Sequence, residues 1–326
     1  MKFASRIWKT VLAAGVIAGI SGVAVAQGYP NKPVRLIVPQ SPGGGADILA
    51  RAVAAKLSET WGHQVVVENR AGAAGIIGTE AAAKATPDGY TLLMGAIGAN
   101  GINPGLYPNL PYDSRKDFAP VTMVASAPLL VVVHPSVPLN STKELIAFAK
   151  SQPGKINFAS AGSGNATHLA GELFKTMANV DITHVPYKGA TPAETDLIGG
   201  QVQLMFSSIL SALPHVKAGR MKALAVTSLR RSSLAPELPT VAESGLPGYE
   251  MNPWYGVFAP AGTPRPVIDK IHRDIVRILQ LPDVKERFAA LGAEPVGNTP
   301  EQFGAFVDAE ITKWSKVIKD SGAKAE

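Results

Sequence analysis

The chain has 326 residues, no cysteine, 46% apolar and 17% charged residues, and a formal charge of +6. The missing cysteines exclude a disulfide framework, thiolate chemistry and a lipid anchor on cysteine. The small charge, without lysine–arginine runs or interleaved aromatics, argues against nucleic acid as a partner.

Lys2, Arg6 and Lys9 precede an apolar run, Val11 to Ala26, that contains Gly15, Gly19 and Gly22. Ala24-Val25-Ala26 fits the small-x-small cleavage rule, so residues 1–26 read as a signal peptide cleaved after Ala26. The run is shorter than the ~20 apolar residues of a spanning helix, which ranks a membrane anchor behind that reading. The leader removes three basic and no acidic residues and so halves the charge excess. Export without disulfides suits the periplasm, and a mature chain of this length divides into two domains.

The mature chain alternates strand and helix. A strand over 34–38 leads through Ser41-Pro42-Gly43-Gly44-Gly45-Ala46-Asp47 into a helix near 46–61, with Leu49, Ala52, Val53 and Leu57 on one face. A strand over 64–68, a glycine turn Asn69–Gly75, a helix near 75–85 and a strand over 90–94 complete a βαβαβ series. This predicts a parallel sheet with ligands outside the carboxyl ends of its strands. Proline-rich residues 101–120 suit an irregular excursion. Val121–Val133 reads as extended, broken by Pro128, and suits a crossover between lobes.

A second series follows: helix 141–150, strand 155–158, helix 166–178, strand 181–185, helix 190–199, strand 201–206, helix 209–218 and strand 222–227. Residues 230–266 are rich in proline and glycine, and Trp254–Ala259 inside them suits a return strand. Two amphipathic helices end the chain, one carrying Val267, Ile268, Ile271 and Ile275, the other Phe303, Phe306, Val307, Ile311 and Trp314. The expected organisation is a discontinuous lobe of 27–125 plus 250–326 and a second lobe of 126–249, joined by two extended hinge segments.

Two strand–glycine loop–helix units carry the chemistry. Gly43–Asp47 opens one helix, and Ser160, Gly162, Ser163, Gly164 and Asn165 open another. Amides at a helix N-terminus and its dipole favour an anion, and two such loops facing across a cleft grip one from both sides. Neither loop is a P-loop or a dinucleotide fingerprint. Each alone also reads as a tight turn, with Asp47, Asn165 or Thr167 as helix caps and His168 as a packing residue. Tyr187, Lys188 and Gly189 end a strand near the same edge, as does Met205–Ser208, and Trp254 and Tyr255 flank the expected hinge. A hydrolase built on Ser163 and His168 lacks the G-x-S-x-G frame. The six histidines show no metal-binding spacing, so no metal or cofactor is expected.

Several segments together resemble the Bug family, the extracytoplasmic receptors of tripartite tricarboxylate transporters. They include YPNKPVRLIVPQSPGGGAD, VVVENRAGAAGIIGTEAAAKATPDGYTLL, SAGSGNATHLAGELF, HVPYKGATPA and WYGVFAPAGTP, and the similarity spans the mature chain. The resemblance implies an α/β, two-lobed fold of the periplasmic-binding-protein type II (Venus flytrap) class without enzymatic activity. It also implies a monomer that delivers a small di-, tri- or aromatic carboxylate to the transporter's membrane subunits. Ser41–Asp47 and Ser160–His168 are the implied jaws. Gly44, Gly45 and Ala46 with Ser163, Gly164 and Asn165 are expected to clamp one carboxylate. Asn100, Tyr187, Ser207 or Trp254 then meets a second polar group. Many relatives carry aspartate where this chain has Ser207, which disfavours an amino-acid ligand here. A sensory receptor feeding a membrane kinase is the alternative.

Overall fold

The computed structural model describes residues 28–322 and residue 324, so the expected leader and its cleavage site lie outside the described residues. The strands, in chain order, are β1 (Val34–Val38), β2 (Val65–Asn69), β3 (Thr91–Ala96), β4 (Phe118–Ser126), β5 (Leu129–Val133), β6 (Asn157–Ser160), β7 (Thr183–Pro186), β8 (Leu204–Ser208), β9 (Lys222–Val226), β10 (Trp254–Pro260) and β11 (Glu294–Pro295). The helices are α1 (Gly45–Trp61), α2 (Ile76–Ala83), α3 (Asn103–Leu106), α4 (Thr142–Ser151), α5 (Ala166–Ala178), α6 (Ala190–Ile198), α7 (Ile209–Lys217), α8 (Arg265–Leu279), α9 (Pro282–Leu291) and α10 (Pro300–Ser321).

Two sheets form. Their orders are β11-β4-β10-β3-β1-β2 and β7-β6-β8-β5-β9. The second repeats the plan of the first: β1 lies parallel between β2 and β3, as β6 lies between β7 and β8. The fourth strand of each set, β10 or β5, runs antiparallel to its neighbours. The βαβαβ series is parallel, as its alternation predicts, and β10 adds an antiparallel strand to it. β10 arrives from the other half of the chain, and an arriving strand is free to insert in either direction. The two sheets are joined where β4 passes into β5 through Ala127-Pro128 and where residues 227–253 link β9 to β10.

Strand pleating explains the layers. Leu36 and Val38 pack with Leu49, Val53 and Leu57 of α1, while Ile37 points to the opposite face and joins a second cluster with Leu93, Phe258 and Phe303. The apolar stripe of α8, Val267, Ile268, Ile271, Ile275 and Ile278, is buried as its spacing predicts. α10 starts with a capping box between Thr299 and Gln302. Its Glu310 Oε2 accepts from Trp254 Nε1 at 3.1 Å and from Trp314 Nε1 at 3.0 Å. α9, the short β11 and a π-helical turn over Ile97–Ile102 were not legible in the sequence pattern.

Candidate functional site

The repeated sheet plan sends three consecutive strands of each half toward one cleft. β1, β2 and β3 end in Pro39–Gly45, Ala71–Gly75 and Ile97-Gly98; β6, β7 and β8 end in Ala161–Thr167, Pro186–Ala190 and Ser208. All six ends line a single cavity of about 410 Å³, closed further by Tyr107, Leu129, Pro253 and Tyr255. That volume is in the range, roughly 300–1,000 Å³, of small-molecule sites. The N-termini of α1, α2, α5, α6 and α7 therefore converge on it from both sheets. Among the described residues its wall carries one cation, Lys188, and no carboxylate.

The glycine-rich junctions leave amides uncommitted. Among the described residues, the amides of Gly45, Ser163, Ala166 and Gly189 donate to no protein acceptor. Gly72, Ala73, Ala74 and Gly75 all take positive φ, with the two alanines at 46° and 54°. Alanine holds this left-handed backbone at a cost of about 1–2 kcal/mol per residue, so strain is concentrated on the cavity wall.

The serine loop is held from behind. Gly162 N donates to Ser160 Oγ at 3.1 Å, Ala161 N to Thr167 Oγ1 at 2.8 Å, and Gly164 N to His168 Nδ1 at 3.1 Å. Ser160 Oγ and His184 Nε2 are 2.6 Å apart, and the rings of His168 and His184 stack at 4.0 Å. Burial, then the charges of His184 and Lys175, pushes the His168 pKa down to about 3. Burial and Lys175 push His184 down to about 4. Both imidazoles are neutral packing and accepting groups at neutral pH.

Of the residues expected at the site, Ser41, Gly44, Gly45, Gly162, Ser163, Asn165, Tyr187, Lys188 and Gly189 are on the cavity wall. Others stand behind it. Burial opposes ionisation of Asp47, but hydrogen bonds from Arg51, the Gly43 amide and Asn69 outweigh it and hold its pKa below the ordinary carboxylate value. The charge is spent on Gly43 N at 2.9 Å and on Arg51. Gly43 and Ala46 shape that turn from outside the wall. Ser160, Gly164 and His168 support the serine loop. Asn165 is both a wall residue and a cap, its Oδ1 accepting from Thr167 N at 3.2 Å.

Three expectations are corrected. Asn100 is fully buried in the π-turn, where its Oδ1 accepts from Ala96 N at 3.3 Å. Trp254 is buried against Phe258, Phe303 and Phe306, because a strand side chain there points into the core. Ser207 faces away from the cavity and donates to Glu194 Oε1 at 2.5 Å. A Ser163–His168 couple is absent among the described residues, since His168 Nδ1 is taken by the Gly164 amide and Nε2 faces Glu172 Oε1 at 3.7 Å.

Residues that sequence reasoning left out of the site are Ala71–Gly75, Gly98, Tyr107 and Thr191. The glycine turn after β2 was the available signal for the first group; nothing in the sequence pointed to the others. Tyr107 OH donates to Ser163 O at 3.0 Å and Thr191 Oγ1 donates to Pro42 O at 2.9 Å. These two hydrogen bonds cross the cleft at different points and join the two halves. Tyr187 OH is committed to Asp196 Oδ2 at 2.7 Å, so its ring, not its hydroxyl, is the surface offered to the cavity.

Known proteins are similar to this chain throughout. Residues 49–323 match the family model described as the tripartite tricarboxylate transporter family receptor. Protein BugT of Bordetella pertussis (strain Tohama I) is 42% identical over 308 residues, which cover 94% of both chains. Rpa4515 of R. palustris, solved with adipate, is 38% identical with a TM-score of 0.89, covering 91% of this chain and 100% of that one. MatC of Rhodopseudomonas palustris, solved with malate, is 34% identical with a TM-score of 0.84, covering 89% and 100%.

Proposed function

The chain belongs to the tripartite tricarboxylate transporter receptor family of periplasmic solute-binding proteins, and on that premise we propose that it captures a small dicarboxylate in the cleft between its sheets and delivers it to the membrane subunits of such a transporter. The observation that carries the reading is the wall itself: helix N-termini from both halves, uncommitted amides, one lysine and no acid. Preorganised backbone dipoles bind an anion without a buried cationic side chain. The Gly45 amide from one half and the Ser163 and Ala166 amides with the Asn165 side-chain amide from the other hold one carboxylate; Lys188 faces the second. Adipate and malate in the related structures are of this class.

The two lobes are 27–125 plus 250–326 and 126–249, and the protein acts as an exported monomer that begins at Gln27. An anion held by both halves favours the closed arrangement, because it binds that state better than an open one. Calorimetric titration of residues 27–326 with adipate, malate and neutral sugars tests the reading. Saturable one-to-one binding of a dicarboxylate, with the ligand recovered unaltered, is the expected result. Binding of a sugar alone, or turnover of the acid, overturns it.

A further inference from the structure

The closed end of the cavity carries a hydroxyl pair that spans both halves. Tyr255 enters from β10 of the first sheet and Ser208 from the end of β8 in the second. A Cβ built on Gly45, the first residue of α1, would lie 2.5 Å from Tyr255 OH and 3.0 Å from Ser208 Oγ. The two oxygens and the uncommitted Gly45 amide thus gather around one point, and only glycine leaves that point open. Gly45 has an ordinary negative φ, so this close approach, not backbone conformation, accounts for the glycine.

Ser208 is unusual for its place. It is the N-cap residue of α7, where a serine ordinarily turns its oxygen onto the next amides. Here no such capping bond forms. Its Oγ is buried without a hydrogen bond of full geometry, and the Tyr255 hydroxyl lies within reach of it. Tyr255 is 5% exposed and its ring lines the cavity. Burial pushes the Tyr255 pKa up to about 12, against a smaller lowering influence of Ser208. The phenol is therefore protonated at neutral pH and able to donate.

We propose that Tyr255 is a specificity-determining donor that fixes one oxygen of a bound carboxylate at the closed end, and that Ser208 is its positioning residue. The Ser208 hydroxyl donates to the phenolic oxygen and turns the phenolic proton toward the ligand. Because the two residues belong to opposite halves, the donor is correctly aimed only when the cleft is shut. The inference rests on the carboxylate reading given above.

The test is a double-substitution cycle on the mature protein, titrated with adipate and with malate. Tyr255→Phe is expected to weaken the better of the two acids about tenfold, the loss of one hydrogen bond to a charged oxygen. Ser208→Ala is expected to weaken it about threefold, and to have no further effect in the Tyr255→Phe background, as coupled residues require. Ser208→Thr, which keeps the hydroxyl, restores binding. Thermal melts of each variant confirm that it folds. Unchanged affinity in Tyr255→Phe, against a wild type that binds, overturns the inference alone. An undiminished effect of Ser208→Ala in the Tyr255→Phe background overturns the positioning role. A folded wild type that takes up neither acid overturns the carboxylate reading and this inference with it.

Discussion

Ser207 and Ser208 are neighbours with opposite duties. Strand alternation turns Ser208 to the cavity and Ser207 to a buried carboxylate, Glu194, whose Oε1 also accepts from Ser211 at 2.5 Å. Burial raises the Glu194 pKa, and the two hydroxyls only partly offset that. An aspartate at 207 therefore meets Glu194 rather than a ligand. Ser207→Asp is expected to destabilise the fold by about 3 kcal/mol, since it sets a second carboxylate beside a buried one. That corresponds to a thermal midpoint lower by about 5 °C for a chain of this length. An unaltered midpoint with a changed ligand profile would return Ser207 to the site.

The residues most readable from sequence were those whose chemistry is local. Glycine in Gly43–Gly45 and Gly162–Gly164 announced tight junctions, and both junctions lie at the cavity. What stayed hidden were roles set by long-range contacts. Asn100, Ser207 and Trp254 are polar or amphipathic and sit near the right strand ends, yet their side chains point inward. Tyr107 and Thr191 reach across the cleft to backbone carbonyls supplied by residues 163 and 42. No spacing rule encodes such a pairing.

At the scale of elements, the junction between β6 and α5 depends on a layer of side chains beneath it. Phe158, His168 and His184 stack, with Ser160, Glu172 and Lys175 around them. The folded protein keeps both imidazoles neutral down to about pH 3 and about pH 4, while the unfolded chain protonates them near 6.5. In that window the unfolded state binds more protons, so stability falls as pH falls. The urea midpoint is expected to be level above pH 7 and to decline toward pH 4, with about 1–3 kcal/mol lost by pH 5. His184→Phe, which keeps the stacking, flattens part of that decline. A midpoint that does not move between pH 7 and pH 5 rules this layer out as an acid-sensitive support.

Element boundaries were legible where periodicity was strong. α1, α5 and α8 fall where apolar spacing put them, and the break at Pro128 does separate β4 from β5. The antiparallel entry of β10 between β3 and β4 was not legible, because register with a strand over a hundred residues away leaves no local pattern. The short α9 was hidden by its weak amphipathic contrast, with only Val284 and Phe288 fully buried.

For the whole molecule the decisive property is that its two halves touch through glycine. Gly164, at φ +80°, abuts the first half, where an added Cβ would lie 2.8 Å from Leu106 Cδ2 and 2.9 Å from Asn103 Oδ1. Gly164→Val therefore has two separable effects. The positive φ costs about 1–2 kcal/mol of fold stability in any arrangement of the lobes. The clash with α3 arises only when the cleft is shut, and so it appears as lost affinity. Dicarboxylate binding is expected to weaken at least about tenfold, with small-angle scattering showing a more extended particle that no longer contracts on adding ligand. Full affinity in the variant removes this contact from closure.

The carboxylate of Glu310, receiving two indole N–H groups, has an optical consequence. One of those indoles belongs to Trp254, which directly precedes the tyrosine at the floor of the cavity, and the other is anchored in the terminal helix. A shift of β10 on ligand binding is expected to alter the surroundings of the Trp254 indole and its bond to Glu310. Tryptophan emission is expected to shift as adipate is titrated in, and a spectrum unchanged at saturation would show that Trp254 does not register occupancy.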